Sequence, residues 1–525
     1  MTERTEPTAE YRCPGQQYPI SRAVHLGRLT RFYPGCRQCL HRDDTATLSA
    51  RQVKQLLETR PRGLPRPLFD EEGAGGVHLN DLTPSVAREM AAALGVALQR
   101  RGGLGGTAGS SSSAGSTVGQ AGHRPKVGRG TGQTESDGPL ALKGTVPFSL
   151  RENRDSPQEN RDSPQVPLVV IAGDGRPISC ELVAAVGEGL RWAGCRVVDI
   201  GPATAACLTF AIDHLAASGG ILVGNPGEKP QMVGLKFWAG RAPRGGGYVQ
   251  VPYPPTAGWR PLSAGGGLGT LEKVFRAGVD RPTRRYGPLR RFQAEVPYLA
   301  GLAGYYHALR PLRLVLDTSC DTLVGYLKKL TEPVACRIIE CGSADKVGWV
   351  ERSEPHLALE PAHRNRWASL RSTQPTPSRL AERIVAERAH FGVAVGSDGE
   401  MCRLHDEQGR RVPAERLLLL VAGHLLSERP QGTIVLEEGT AAKIAEAIRA
   451  AGGRVALSGA RRAEMAAAMQ AHSGLLGGGP SGRFWYDSDG LPLPDALRTL
   501  TLLLVLLSQS DRPLSEVLDR RVPPG

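Results

Sequence analysis

The residues near the start of the chain that could do metal chemistry are Cys13, Cys36, Cys39 and His41. Tetrahedral zinc takes four sulfur or nitrogen ligands, and a Cys-x-x-Cys pair such as Cys36 and Cys39 grips one ion from a tight turn. Cys13 is far upstream, and His41 is nearer to Cys39 than usual zinc spacings place it. The same residues therefore also read as free thiols beside a surface histidine. A second chemistry is electrostatic. With 65 Lys and Arg against 52 Asp and Glu, the chain carries a net charge of +13, which attracts polyanions. The densest cluster is Arg281, Arg284, Arg285, Arg290 and Arg291, in a Pro- and Gly-interrupted stretch with Tyr286 among them. It reads as a solvated linker. The other arginines are scattered, so nucleic acid is not an expected partner. Cys180, Cys195, Cys207, Cys320, Cys336 and Cys402 stand in or beside apolar runs. They read as buried thiols and not as a disulfide framework.

The elements that would position such groups follow from periodicity. A chain of 525 residues is long enough for several domains. Residues 1–62 read as a Cys-containing N-terminal extension. A first α/β domain spans 63–258, opening with a helix after Thr83–Pro84. It is interrupted over 101–165 by a Gly-, Ser- and Thr-rich insertion that ends in a repeat, Glu152–Gln158 and Glu159–Gln165. Such composition is that of disordered linkers. From Leu168 the grammar is β-α-β: short apolar runs alternate with amphipathic helical stretches, the pattern of a parallel sheet with right-handed crossovers. A second domain is expected over 259–343, an irregular insertion over 344–378, and a third domain over 379–525. The longest apolar run, Leu500–Leu507, is broken by Thr501 and is far shorter than the roughly 20 residues a membrane helix needs. A cytoplasmic protein without a membrane partner is expected.

Several motifs fall in one order: Gly173-Asp174-Gly175-Arg176-Pro177, then Ala193-Gly194-Cys195 leading to Val197-Val198-Asp199-Ile200-Gly201, then Gly219-Gly220-Ile221-Leu222-Val223-Gly224-Asn225-Pro226-Gly227, and Gly234-Leu235-Lys236-Phe237. In this order they resemble the α-D-phosphohexomutases, the phosphomannomutase and phosphoglucomutase family. The resemblance covers most of 68–519 outside the insertions. It implies three consecutive α/β/α domains and the interconversion of hexose 1- and 6-phosphates. It runs out before the family's fourth domain, which the chain is expected to lack.

The resemblance also implies site residues. The family's phosphoserine position falls on Pro226, and the histidine beside it on Gly227. Proline has no hydroxyl to accept a phosphoryl group. Arg176 and Lys236 match an arginine and a lysine of the family's cleft. The magnesium loop maps to Gly396-Ser397-Asp398-Gly399-Glu400-Met401, keeping Asp398 and Glu400 as oxygen ligands and losing a third carboxylate at Gly396. The sugar-reading loop maps to Gly478-Gly479-Pro480-Ser481-Gly482-Arg483, with Ser481 and Arg483 as substrate contacts and the glutamate replaced by Gly479. The opening arginine of the first domain maps to Gly75. Two functions follow. One is a phosphomannomutase/phosphoglucomutase-family protein of carbohydrate metabolism whose chemistry is degenerate, its magnesium loop degraded to a weak or absent site. The other is a non-catalytic protein that binds a hexose phosphate or regulates, with zinc at its N-terminal module.

Overall fold

The computed structural model describes residues 11–12, 18–33, 35–36, 39–58, 68–99, 166–225, 229–239, 260–264, 267–341, 379–488 and 491–521. The expected insertions at 101–165 and 344–378, together with Cys13, Pro226 and Gly227, lie outside them.

The N-terminal extension folds onto the first sheet. Helix α1 (Arg22–Thr30) starts at Ser21, whose hydroxyl accepts from the Val24 amide, a standard use of serine at an N-cap. Helix α2 (Ala50–Glu58) follows. Leu29, Phe32, Cys36 and Leu56 are buried in one apolar cluster with Met90 and Leu94 of α3 (Pro84–Gln99). Leu29 has no exposed surface at all.

The first sheet is built from β1 (Ala74–Val77), β2 (Leu168–Gly173), β3 (Arg196–Pro202), β4 (Gly219–Gly224), β5 (Met232–Ala239), β6 (Arg260–Pro261) and β7 (Leu289–Arg291). Their order is β1-β5-β4-β2-β3-β7, with β6 against the far end of β5. β2 pairs parallel with β3 and β4, and β3 with β7. β5 is antiparallel to both β4 and β1, so the sheet is mixed and not all-parallel. The physical reason is length: the segment 225–231 is too short for the crossover of about a dozen residues that a parallel neighbour requires. α4 (Pro177–Trp192) and α5 (Ala205–His214) flank the sheet. β2 is apolar throughout because both its faces are covered. Val169 and Ile171 join the cluster of Leu182 and Leu190 from α4, whereas Val170 and Ala172 join that of Ala206 and Leu208 from α5.

The second sheet contains β8 (Arg313–Thr318), β9 (Arg337–Glu340), β10 (Phe391–Val395) and β11 (Cys402–His405), in the order β11-β10-β8-β9. The third contains β12 (Thr433–Glu437), β13 (Arg454–Ser458), β14 (Gly474–Gly478), β15 (Trp485–Ser488) and β16 (Leu491–Pro494), in the order β13-β12-β14-β15-β16. Strand pairing therefore moves two expected boundaries. Residues 260–261 and 289–291 belong to the first sheet, and 391–405 belong to the second. The boundaries expected at 258/259 and 378/379 do not follow the sheets. The arginine cluster is likewise more than linker: Arg290 and Arg291 lie on edge strand β7, and Arg281 stacks over the Tyr286 ring at 4.8 Å.

One apolar cluster joins all three sheets, taking in Val170, Leu314 and Ile434 together with the helix Ala496–Ser508. Among the described residues no helix is long and apolar enough to cross a membrane.

Since the extension and α3 share a core, Leu29→Ala is expected to lower unfolding stability by about 2–4 kcal/mol. Hydrogen exchange should then quicken in Pro84–Gln99 as well as in residues 22–58. Faster exchange confined to 22–58 would show that the extension folds by itself.

Candidate functional site

Open α/β sheets present loops at the carboxyl ends of their strands, and ligands bind there. In this chain the carboxyl ends of β4, β10 and β14 and the loop before β1 come together. β4 ends at Gly224–Asn225. Opposite Leu222 of β4, β5 carries Lys236. β10 runs into the turn Gly396–Met401. Gly399 occupies a left-handed conformation there, with φ +74°, and packs against Thr204. A side chain at 399 would be strained, so the Asp398-Gly399-Glu400 order is the one this turn can form. Backbone bonds dock the turn on three sides: the Ala205 amide donates to the Asp398 carbonyl at 3.0 Å, the Ala496 amide to the Gly399 carbonyl at 3.0 Å, and the Cys402 amide to the Gly482 carbonyl at 3.0 Å.

The turn's carboxylates face cations of the chain itself. The Lys236 ammonium donates to Asp398 and lies 3.1 Å from Glu400 Oε2. The Arg462 Nε lies 3.2 Å from Glu400 Oε1, and the Arg483 Nε 3.6 Å from Glu400 Oε2. Glu400 is 1% exposed, as is Arg462, whose guanidinium rests on the Trp238 ring at 4.5 Å. Glu72 completes the cluster. It accepts from the Arg462 amide at 3.2 Å and stands 3.8 Å from Arg483 Nη1. Burial alone would raise the Asp398 carboxyl, but the Lys236 ammonium outweighs it and holds the group down at about 2. For Arg483, burial opposes the charge while the carboxylates of Glu400, Glu72 and Asp398 favour it, and its pKa ends up raised.

Arg176, expected to touch substrate, uses Nε and Nη1 within the chain and leaves Nη2 buried without a hydrogen-bond partner. It donates from Nε to Asp174 at 2.6 Å and from Nη1 to the carbonyls of Pro230 and Met232, both at 3.1 Å. It braces the loop between β4 and β5. Ser481 donates from both its amide and its hydroxyl to Glu437, and its hydroxyl accepts from the Arg483 amide at 3.1 Å. Burial raises the Glu437 carboxyl above its usual range, against the opposing effect of Ser481. A Cβ at Gly479 would meet Glu437 Cβ at 2.7 Å. The carboxylate missing from 479 thus has a neighbour on β12 that already fills the space. Beside these groups lies a partly open cavity bordered by Asp70, Glu72, Asp174, Asn225, Lys236 and Asp398.

Magnesium takes about six hard oxygen ligands in tight octahedral geometry. Gly396 offers no side chain, and Asp398 and Glu400 are engaged by Lys236, Arg462 and Arg483. Among the described residues no three Asp, Glu, His or Cys side chains group to hold a metal. The turn as folded does not fit the ion. The same holds for the described part of the expected zinc set. Cys36 packs into the apolar cluster, Cys39 is buried, and His41 meets the Tyr11 ring edge-on at 5.1 Å.

Sequence reading missed Glu72, Arg462 and Glu437. A signal for Arg462 existed: Arg461 and Arg462 open the helix Arg462–Ala471, where the helix dipole disfavours cations. Two arginines at that end require carboxylates close by: Glu71 and Glu464 meet Arg461, and Glu400 and Glu72 meet Arg462.

Comparison with known proteins gives consistent likenesses. Residues 157–244 match the family described as phosphoglucomutase/phosphomannomutase, alpha/beta/alpha domain I. A protein of Thermococcus gammatolerans named "Probable phosphoglucosamine mutase" is 25% identical over 360 residues, covering 68% of this chain and 71% of that one. A Xanthomonas campestris protein named "Phosphohexose mutases" is 24% identical over 392 residues, covering 73% of this chain and 79% of its own. The crystal structure of a phosphoglucomutase/phosphomannomutase family protein from Burkholderia thailandensis superposes with a TM-score of 0.59 at 20% identity, covering 87% of this chain and 80% of that one.

Because Asp398 titrates lower folded than unfolded, its contribution is complete above about pH 4 and lost as pH falls through about 2. Denaturant unfolding between pH 5 and 2 should show stability falling in the native chain. That component should be missing in Asp398→Asn. Parallel curves for the two proteins would show that Lys236 does not hold Asp398 ionised.

Proposed function

We propose that this chain, a member of the α-D-phosphohexomutase family, binds a hexose phosphate in the cleft between its sheets without transferring the phosphoryl group. One observation carries the reading. Phosphoryl transfer through the protein needs a nucleophilic side chain at the mouth of the cleft. β4 delivers Asn225 to the cavity beside Lys236 and Asp398, and the next residue in the chain is Pro226. Among the described residues lining that cavity there is no serine, threonine, cysteine or histidine. The carboxylates lining it are bonded within the chain: Asp174 to Arg176, Asp398 to Lys236, Asp70 to the amides of Glu72 and Gly73, and Glu72 to the Arg462 amide.

Binding would fall to Arg483 and Ser481. A planar guanidinium suits a phosphate in paired hydrogen bonds, and Arg483 is partly exposed beside the Ser481 loop. Proteins this chain is similar to are named phosphoglucosamine and phosphohexose mutases; a hexose phosphate is the ligand class proposed for this chain. Zinc in the N-terminal extension is not part of it.

Phosphorus NMR of the native protein with glucose 1-phosphate or mannose 1-phosphate, a trace of the 1,6-bisphosphate and magnesium is expected to show no 6-phosphate above the protein-free rate. Calorimetry with the same sugars should show saturable binding, weakened about tenfold in Arg483→Ala, a loss of about 1.4 kcal/mol. Magnesium-dependent exchange between the 1- and 6-phosphates would overturn the non-catalytic reading. Absence of binding to any hexose phosphate would overturn the ligand class.

A further inference from the structure

We propose that Lys236 is the built-in cation of the acidic turn Gly396–Met401, doing with Arg462 and Arg483 the electrostatic work of a divalent ion, so that the three sheets close on one another without metal. Each part of the turn's geometry agrees with this. The Lys236 ammonium reaches both carboxylates, bonding Asp398 and lying 3.1 Å from Glu400. An ammonium has three protons to give and no acceptor, so a pair of carboxylates is its natural partner. Both oxygens of Glu400 face cations: Oε2 faces Lys236 and Arg483, and Oε1 faces Arg462. Arg462 is pinned by the Trp238 ring and cannot withdraw without exposing an apolar face. Counting Glu72, three carboxylates meet three cations, and the cluster is neutral as it stands.

An entering divalent ion would have to displace Lys236 from both carboxylates at once. That competition, added to the reluctance of magnesium to shed water, closes the site to it while Lys236 is present. The cations do a second job that an ion alone would do less selectively. Lys236 comes from the first sheet, the turn from the second, and Arg462 and Arg483 from the third. The pairs are therefore inter-sheet links. It follows that the cation vacancy is latent: with Lys236 shortened, Asp398 and Glu400 face an open gap lined by hard oxygens. The inference rests on the cleft described above, but it is independent of whether a sugar binds there, since its readouts are metal binding and melting temperature.

The full-length protein is melted in EDTA, in millimolar magnesium and in millimolar manganese, and manganese binding is followed by electron paramagnetic resonance. The native chain should melt at the same temperature in all three and bind no manganese at sub-millimolar concentration. Lys236→Ala should melt lower by roughly 5 °C in EDTA, recover at least half of that loss with either ion, and bind manganese stoichiometrically. Stoichiometric manganese on the native chain overturns the proposal. So does a Lys236→Ala variant that folds and binds no more manganese than the native chain. Should that variant fail to fold, the charge-balanced pair Lys236→Met with Asp398→Asn keeps the volume and removes one charge of each sign. It should fold and melt identically with and without magnesium, and a magnesium-dependent melt in it would overturn the proposal equally.

Discussion

Glu400 is an ionisable group with almost none of its surface in water, and the arrangement of the cleft answers to it. Removing a carboxylate from water costs several kcal/mol, and only close cations and hydrogen bonds return that energy. Three cations from two other sheets are brought to it. For them to arrive, β5 must run antiparallel beside β4, the turn after β10 must dock on α5 and on Ala496, and a helix must open with arginine. Each requirement is met by a specific backbone contact. The cluster is therefore a specifier of how the sheets close more than a source of stability. Its members share partners, so their contributions do not add.

Apolar burial supplies the driving force that the ion cluster orients. The cluster running from Val170 through Leu314 to Ile434 is continuous, and continuity of that kind resists sliding only if polar groups fix the register. Buried hydroxyls do so. Tyr298 donates to Asp495 at 2.7 Å, Tyr306 bonds Thr501 at 2.9 Å, and Tyr486 bonds Thr499 at 2.9 Å. Two of these link Glu295–Tyr306 to residues 495–508. Burial raises Asp495 above its ordinary range, and the Tyr298 hydroxyl remains a donor because burial raises it as well. Arg176 does comparable work near the cleft: its bonds to Asp174, Pro230 and Met232 hold the start of β5, and with it Lys236, in place.

The N-terminal extension follows the same logic at smaller scale. Tyr11 stacks on His25 at 4.5 Å and donates to Asp44, and His25 Nε2 lies 3.1 Å from the Asp44 carbonyl. These contacts fold the extension back on itself, while Leu29, Phe32 and Cys36 attach it to the first sheet. Cysteines that suggested a ligand set by spacing are, for Cys36, part of the packing. Spacing cannot tell the two apart, because a tight turn that brings two thiols together also points them at the nearest apolar surface.

Much of this was legible in the amino-acid order. Alternation of apolar runs and helical stretches gave the α/β class and strands β2–β4, β8–β10, β12 and β13, because those periods are local; β5–β7 and β14–β16 did not show in it. The residue types at 226 and 396 were equally plain: an imino ring at the former and no side chain at the latter. Sheet membership of Leu289–Arg291 and Phe391–Val395 was not legible, since pairing depends on which distant strand offers a free edge. Nor were the partners of Lys236, Arg176, Glu437 and Glu400. The charges were visible in the sequence, but which of them neutralise one another is decided where segments hundreds of positions apart close within a few ångströms. A buried carboxylate selects its cations by distance in space, and distance along the chain carries no record of that.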